Sequence, residues 1–300
     1  HLAGTLLWFD AARHDVLTAV SCARVDGAWR SARAVCTDRT RALLRTSSPG
    51  FSALVAPFGR RLAIGALSVR FFPAGYLPGS SLVFVEAPGG TVLYAGHASL
   101  ESHALAEPIE VPRARTLVLR TAYGRPEFRF PPRAEALERL VTRARETLAV
   151  GDTPVFLGSP MGKAQEIIAA LSAAGVPVCV HRTIARVDRT YRNLGFDPGR
   201  ATTFRGSPRR DSALVFPDRL RSSLAIRGLK RARIFWASGL ARVPEAVARM
   251  KVDEAIPLAG HLDFDGLVRL VERVDPERTF TVGRWASAFA AHLRACGRAA

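Results

Sequence analysis

Residues Phe72 to Leu100 decide the fold. They read Phe72-Pro73-Ala74-Gly75-Tyr76-Leu77-Pro78-Gly79-Ser80, then Leu82-Val83-Phe84-Val85-Glu86, then Pro88-Gly89-Gly90, then Thr91-Val92-Leu93-Tyr94-Ala95-Gly96-His97-Ala98-Ser99-Leu100. Two β-rich runs on either side of a Gly-Gly turn predict a hairpin. At each end the hairpin runs into a glycine-containing loop that carries one polar side chain, Tyr76 on one side and His97 on the other.

Working outward, the N-terminal third reads as short strands separated by turns. Leu6-Leu7-Trp8-Phe9 and Val16-Leu17-Thr18-Ala19-Val20 flank a polar turn, and a strand follows at Arg33-Ala34-Val35-Cys36. Thr37 is placed to cap a helix over Asp38–Arg45. Leu62–Ile64, Leu67–Phe71 and Thr116–Leu119 complete the set, as a half-sandwich requires. Beyond Pro131-Pro132 the period becomes helical: Leu137, Leu140, Val141, Ala144 and Leu148 share one face. Strands at 154–157, 176–180, 212–216 and 233–236 then alternate with helices at 162–173, 184–193 and 220–225, which predicts a parallel α/β layer. The stretch Asp197–Asp211 is the most loop-like. A strand at 255–258, a helix through Leu267 and Val271, a strand at 279–282 and a helix carrying Trp285, Phe289 and His292 end the chain.

With 48% hydrophobic and 23% charged residues in 300, the chain can bury a large core. The net charge of +17 comes almost wholly from arginine, because Lys163, Lys230 and Lys251 are its lysines. An arginine-favouring genome and a phosphate-rich partner both fit this excess, since guanidinium groups make bidentate contacts with phosphate oxygens. Cys22, Cys36, Cys179 and Cys296 are too far apart for a zinc ribbon or a disulfide framework, which points to a reducing, cytoplasmic setting. No apolar run reaches 18 residues, so no membrane span is expected. The opening His1-Leu2-Ala3-Gly4 lacks an initiator Met and a signal-peptide layout, as expected of a trimmed chain. Walker A, GxGxxG, GxSxG and HExxH motifs are absent; Gly158-Ser159-Pro160-Met161-Gly162-Lys163 lacks the spacing of a phosphate loop.

Five segments in order, Pro73-Ala74-Gly75 with Gly79-Ser80, Tyr123-Gly124-Arg125-Pro126-Glu127, Arg129-Phe130-Pro131-Pro132, Gly162-Lys163-Ala164-Gln165-Glu166, and His261 with Asp263-Phe264, resemble the metallo-β-lactamase-fold nucleases with a β-CASP domain, in their short bacterial exonuclease branch. The likeness runs over almost the whole chain. It implies an α/β architecture: an αββα sandwich from residues 1–124 and 246–300, with a parallel α/β domain inserted at 125–245. In that family an HxHxDH loop, a PAGHxLGS loop and a YTGDF loop hold two zinc ions that activate a hydroxide for phosphodiester attack. Here the first loop is Cys22-Ala23-Arg24-Val25-Asp26-Gly27. Tyr76 stands for the hairpin His and His97 for the bridging Asp. The next acidic position falls on Arg120 or Thr121, and the last ligand on Gly283, followed by Arg284. Asp26 is then the one expected ligand in place, with His261 and Asp263 as vestiges of the catalytic segment.

The resemblance therefore implies a catalytically inactive relative that binds DNA or RNA through Arg24, Arg120, Arg125 and Arg284, with no cofactor. Those arginines would stand where the zinc ions are lost, or would neutralise Asp26 and Asp263. Two alternatives stay open. One is a metal-dependent nuclease with a zinc site rebuilt from Cys22, Asp26, His97 and His261; the other is a structural interaction subunit. Repair proteins such as DNA ligase and helicase are the partners the resemblance implies. Elsewhere, His181 is placed to cap the helix that follows it or to line the inter-domain cleft, and Trp29, Trp236 and Trp285 are candidates for base stacking or for core or cleft wall.

Overall fold

A computed structural model describes the chain except for Asp26, Ala28, Trp29 and 208–210. The chain divides into two compact units, residues 1–129 with 261–300, and residues 130–260. The first boundary lies near the expected 124/125. The second lies fifteen residues beyond the expected 245/246.

Unit 1 begins with a four-stranded parallel sheet, β1 (Leu7–Phe9), β2 (Leu17–Ala19), β3 (Arg33–Cys36) and β4 (Leu54–Val55), in that order. The two strands around the polar turn therefore run parallel, with Leu7 opposite Leu17. Between β3 and β4 lies α1 (Asp38–Arg45), whose Thr37 cap accepts a hydrogen bond from the Thr40 N–H as anticipated.

The second sheet has the order β16-β9-β8-β7-β6-β5, built from β5 (Leu62–Ile64), β6 (Leu67–Pro73), β7 (Ser81–Ala87), β8 (Gly90–Ala95), β9 (Thr116–Arg120) and the last strand, β16 (Arg278–Val282). The hairpin closes with Ala87 opposite Gly90. Its strand β7 shows no polar alternation because both of its faces are covered. Val83 and Val85 pack with Val69, Phe71, Leu7, Ala19 and Val35 toward the first sheet. Leu82 and Phe84 pack on the other side against α7 (Phe264–Val274) and α8 (Ala286–Ala295), through Leu267, Leu270, Val271, Phe289 and Leu293. Each fully buried aromatic here, such as Phe71 or Phe289, contributes about 2–3 kcal/mol of apolar transfer.

Unit 2 is a six-stranded, all-parallel sheet of order β12-β11-β13-β10-β14-β15. Its elements are α2 (Arg133–Ala149), β10 (Thr153–Gly158), α3 (Lys163–Ala173), β11 (Val178–Val180), α4 (Arg182–Asn193), β12 (Thr202–Thr203), β13 (Ala213–Pro217), α5 (Leu224–Arg227), β14 (Ala232–Ala237), α6 (Pro244–Met250) and β15 (Glu254–Ile256). Helices α2, α3 and α4 cover one face and α5 and α6 the other. Residues 246–260 belong to this unit because β15 pairs with β14, and Glu254 takes Arg139 and Arg143 of α2. The stretch 197–211 supplies the edge strand β12. The helix expected at 220–225 is instead a 3-10 turn (Asp218–Leu220) followed by α5.

Candidate functional site

Two tight loops of unit 1 set the site. In the first, Gly75 has φ +72°, and a Cβ there would lie 2.3 Å from the Ser99 carbonyl oxygen. Only glycine permits this approach. Ser80 Oγ then accepts from the N–H groups of Tyr76 (3.2 Å) and Leu77 (3.0 Å), which fixes Tyr76 at the mouth of the hairpin. In the second, Gly96 packs against a polar triad. Asp10 accepts from the Ser21 N–H (2.6 Å), the Ser21 hydroxyl (2.6 Å) and the Tyr94 hydroxyl (2.8 Å). A Cβ on Gly96 would meet Ser21 Oγ at 2.6 Å and Asp10 Oδ2 at 2.8 Å. The triad ties the end of β1, the end of β2 and β8 together directly beneath His97.

Above it, three rings and a thiol converge. Cys22 Sγ lies 3.3 Å from His97 Nδ1. Tyr76 stacks on His97 with centroids 5.6 Å apart, and His261 sits 4.5 Å from Tyr76 and 4.8 Å from His97. Arg24 donates to the Tyr76 hydroxyl at 3.2 Å. Arg120 leaves the end of β9 beside Gly283, whose Cα would place a Cβ 3.7 Å from Arg120 Cγ. The recess among Gly96, His97, Ala98, Arg120, Ala122, His261 and Leu262 has a volume of about 10 Å³, room for a single water at most.

The electrostatics follow from burial beside cations. Burial, helped by the charges of Arg120 and Arg24, holds the His97 imidazole down at about 3. Burial pushes the Cys22 thiol up to about 12, with Asp10 adding to it. The Tyr76 and Tyr123 phenols are likewise pushed up to about 12 by burial. Burial also raises the Asp10 carboxyl, opposed by its Ser21 and Tyr94 hydrogen bonds and by Arg120. At neutral pH the centre thus holds a thiol, a neutral imidazole and phenols, with exposed Arg24 and Arg120 beside them.

Such a set does not fit a dinuclear zinc centre, which needs closely grouped imidazoles and carboxylates. Among the described residues, no group of three or more His, Cys, Asp or Glu is arranged to hold a metal ion. Cys22, His97 and His261 of the rebuilt-site alternative do come together; Asp26 lies outside the described residues.

The remaining sequence candidates fall elsewhere in unit 1. Arg125 and Arg284 are exposed and flank Trp285, with guanidinium carbons 4.3 Å and 5.1 Å from its ring centroid. Phe128 and Tyr123 connect that ring to His261 at centroid distances of 5.7, 5.3 and 6.2 Å. Gly27 packs on Ala12 with φ +75°. Asp263 caps α7, accepting from the Gly266 N–H at 2.7 Å. In unit 2, His181 caps α4 as anticipated, accepting from the Thr183 N–H. Asp10 and Tyr94 were absent from the sequence candidates; the signal available was a lone acid ending a strand. All four cysteines are free, and Cys296 is exposed. No described helix is long and apolar enough to cross a membrane.

No family model matches the chain. Among curated proteins it is 33% identical over 295 residues to a "Probable DNA ligase" of Opitutus terrae, covering 97% of this chain and 29% of that protein. It is 26% identical over 142 residues to "RNase aCSPSF2" of Saccharolobus solfataricus, covering 46% of this chain and 28% of that protein. The chain therefore spans less than a third of each of these relatives. A crystal structure of a protein of unknown function from Enterococcus faecalis V583 aligns over 89% of this chain and 75% of that one, with a TM-score of 0.61 at 13% identity, which shows a shared fold. With the ordered loop motifs and the two-unit α/β architecture, these likenesses make the chain a member of the metallo-β-lactamase/β-CASP nuclease family.

Proposed function

We propose that this chain works in nucleic-acid processing or repair as a member of its family that binds a phosphodiester strand without cleaving it. One observation carries the reading. Where the family gathers metal ligands, unit 1 gathers a protonated thiol, a neutral imidazole and a phenol beside the guanidinium groups of Arg24 and Arg120. Bound metal would supply an activated hydroxide; these residues do not fit such ions. Guanidinium groups instead offer paired N–H donors to phosphate oxygens. Tyr76 orients Arg24 through its hydroxyl, while the Asp10–Ser21–Tyr94 triad holds the loop that carries His97. The uncharged floor leaves the arginine charge available to an incoming anion. A repair setting is supported by the relative named as a DNA ligase, and an RNA setting by the one named as an RNase.

Metal content after incubation with excess Zn²⁺ or Mn²⁺ and desalting tests the chemistry. Substoichiometric retention together with no cleavage of labelled DNA or RNA is expected. One tightly held equivalent, lost in Cys22→Ala or His97→Ala, would restore the nuclease alternative. Binding is tested with Arg24→Ala/Arg120→Ala: the slope of log Kd against log salt should fall by about 1.4 for two lost single-strand phosphate contacts.

A further inference from the structure

The two sheets of unit 1 end at β4 and β5, the outermost strand of each. The chain crosses between them through Ala56-Pro57-Phe58-Gly59-Arg60-Arg61. A groove of about 320 Å³ opens there, lined by Val55, Ala56, Pro57 and Leu62, with Arg60 and Arg61 among its walls. Its volume reaches the lower end of the range of ligand pockets, about 300–1,000 Å³. Leu54, beside it on β4, is 58% exposed.

Three observations set this groove apart from an ordinary surface dent. The first is an open strand edge. Strands β5 and β6 are joined by Gly65 and Ala66, with Gly65 at φ +59°, as at the first position of a type II′ turn. Such a turn closes on a hydrogen-bonded pair, Ile64 with Leu67. The next pair, Ala63 with Ser68, is then the other kind, and the Ala63 N–H and C=O face away from β6. Among the described residues neither group has a partner. The second is that the opposite ends of the same two sheets are covered. At β16 the Thr279 N–H donates to the Ala299 carbonyl, and at β1 the Leu7 carbonyl accepts from the Leu2 N–H. Strand β5 has neither such a cover nor the proline that commonly blunts an edge. The third is a chemical alternation. Leu62 and Ile64 pack toward the first sheet, so Arg61 and Ala63 point to the other face. Glu86 is shared by Arg70 at 3.3 Å and Arg61 at 3.6 Å, while exposed Arg60 meets no carboxylate among the described residues.

From this geometry we infer that the β5 edge is a docking site for an extended, acidic peptide segment of a partner protein, which adds as a further strand to the second sheet. Its backbone exchanges hydrogen bonds with the Ala63 N–H and C=O. Its apolar side chains enter the groove, and the acidic ones between them meet Arg60 and Arg61. A phosphodiester backbone fits less well, because it offers acceptors to the guanidinium groups but no regular donor to the Ala63 carbonyl. The site shares no residue with the strand-binding reading above and does not depend on it.

The test is fluorescence anisotropy of a labelled peptide in which valine and glutamate alternate, titrated with the full chain. Binding with a Kd of about 1–100 μM is expected, with slowed amide exchange over residues 60–66. Ala63→Pro removes the outward N–H at an edge position where proline is tolerated; it should raise Kd about tenfold and leave oligonucleotide affinity unchanged. Arg60→Glu/Arg61→Glu should weaken the peptide at least as much. Methylating alternate backbone nitrogens of the peptide should abolish its binding to the unaltered protein, which repeats the test without any risk to folding. Binding that depends on the arginines but ignores both Ala63→Pro and methylation would overturn strand addition, as would binding without slowed exchange. Displacement of the peptide by a single-stranded oligonucleotide at equal charge, at lower concentration than by unlabelled peptide, would overturn the peptide assignment in favour of nucleic acid.

Discussion

Replacing Gly96 by alanine should unsettle the site from below. The new Cβ would lie 2.6 Å from Ser21 Oγ, 2.8 Å from Asp10 Oδ2 and 3.0 Å from Tyr94 Cε1. These atoms cannot retreat separately, because Asp10 holds both Ser21 and Tyr94 by hydrogen bonds of 2.6 and 2.8 Å. If the Ser21 hydroxyl swings away, buried Asp10 loses a hydrogen-bond partner, at about 1–3 kcal/mol. If the triad stays, the loop bearing His97 must move, at about 1–3 kcal/mol for overpacking. Either route predicts about 1–3 kcal/mol of destabilisation. That corresponds to about 2–12 °C at about 2–4 °C per kcal/mol for a unit of this size. Urea titration and thermal melting of Gly96→Ala, Ser21→Ala and the double variant form the assay. Because Ser21→Ala removes the closest clash, the double variant should be less destabilised than the sum of the singles by about 1 kcal/mol. A Gly96→Ala protein within about 0.5 kcal/mol of the parent, at the level of an ordinary surface change, would refute the packing argument.

Acid should weaken unit 1 through His97. Its folded imidazole sits at about 3 against 6.5 unfolded, so this contribution is complete above pH 6.5 and drains away as pH falls toward 3, by up to about 1.4 kcal/mol per pH unit. His97→Gln should flatten the decline between pH 7 and 5 in urea titrations; an unaltered slope would contradict the burial argument. Asp188 in unit 2 behaves oppositely: burial raises it to about 6, so it costs stability as pH rises above its unfolded value of about 3.9 and through 6. Asp188→Asn, which can still accept from Gln165, should stabilise by about 1–3 kcal/mol at pH 8 and hardly at pH 4; equal effects at both pH values would rule this out. Asp263→Ala should cost about 1 kcal/mol by removing the cap on Gly266, and Asp263→Ser should recover most of it.

The hairpin and the α/β alternation were legible because each rests on a local pattern: β-branched runs broken at Gly-Gly, and apolar residues at helical spacing. The Thr37 and His181 caps were legible for the same reason. Helix α6 was missed although Pro244 and Glu245 form a start signal, since its few apolar positions gave no extended stripe. Strand β12 has two residues, both exposed, and no periodicity to read. Of the site, Tyr76 and His97 stood out because they flank one hairpin, and His261 because its neighbourhood keeps the family's pattern. Asp10 had no such marker. Its partners Ser21 and Tyr94 lie 11 and 84 residues away, and one acid at a strand end looks like a turn residue until the sheets close. Gathering Arg24 and Arg120 about a neutral centre is a tertiary fact too, since it depends on which loops fold over His97.

The pairing of β16 with β9 means that β16 lies beside a strand made long before it. During synthesis, Arg129 leaves the ribosome well ahead of His261, and at 5–20 residues per second the intervening 130–260 segment takes about 7–26 s to appear. Throughout that interval β9 has an uncovered flank, and Leu82, Phe84 and Leu117 wait for the apolar side of α7. The inserted segment, contiguous in sequence, can close its own sheet meanwhile. Vectorial folding should therefore finish unit 2 before unit 1, leaving the half-built unit 1 as the species most exposed to chaperones and proteases.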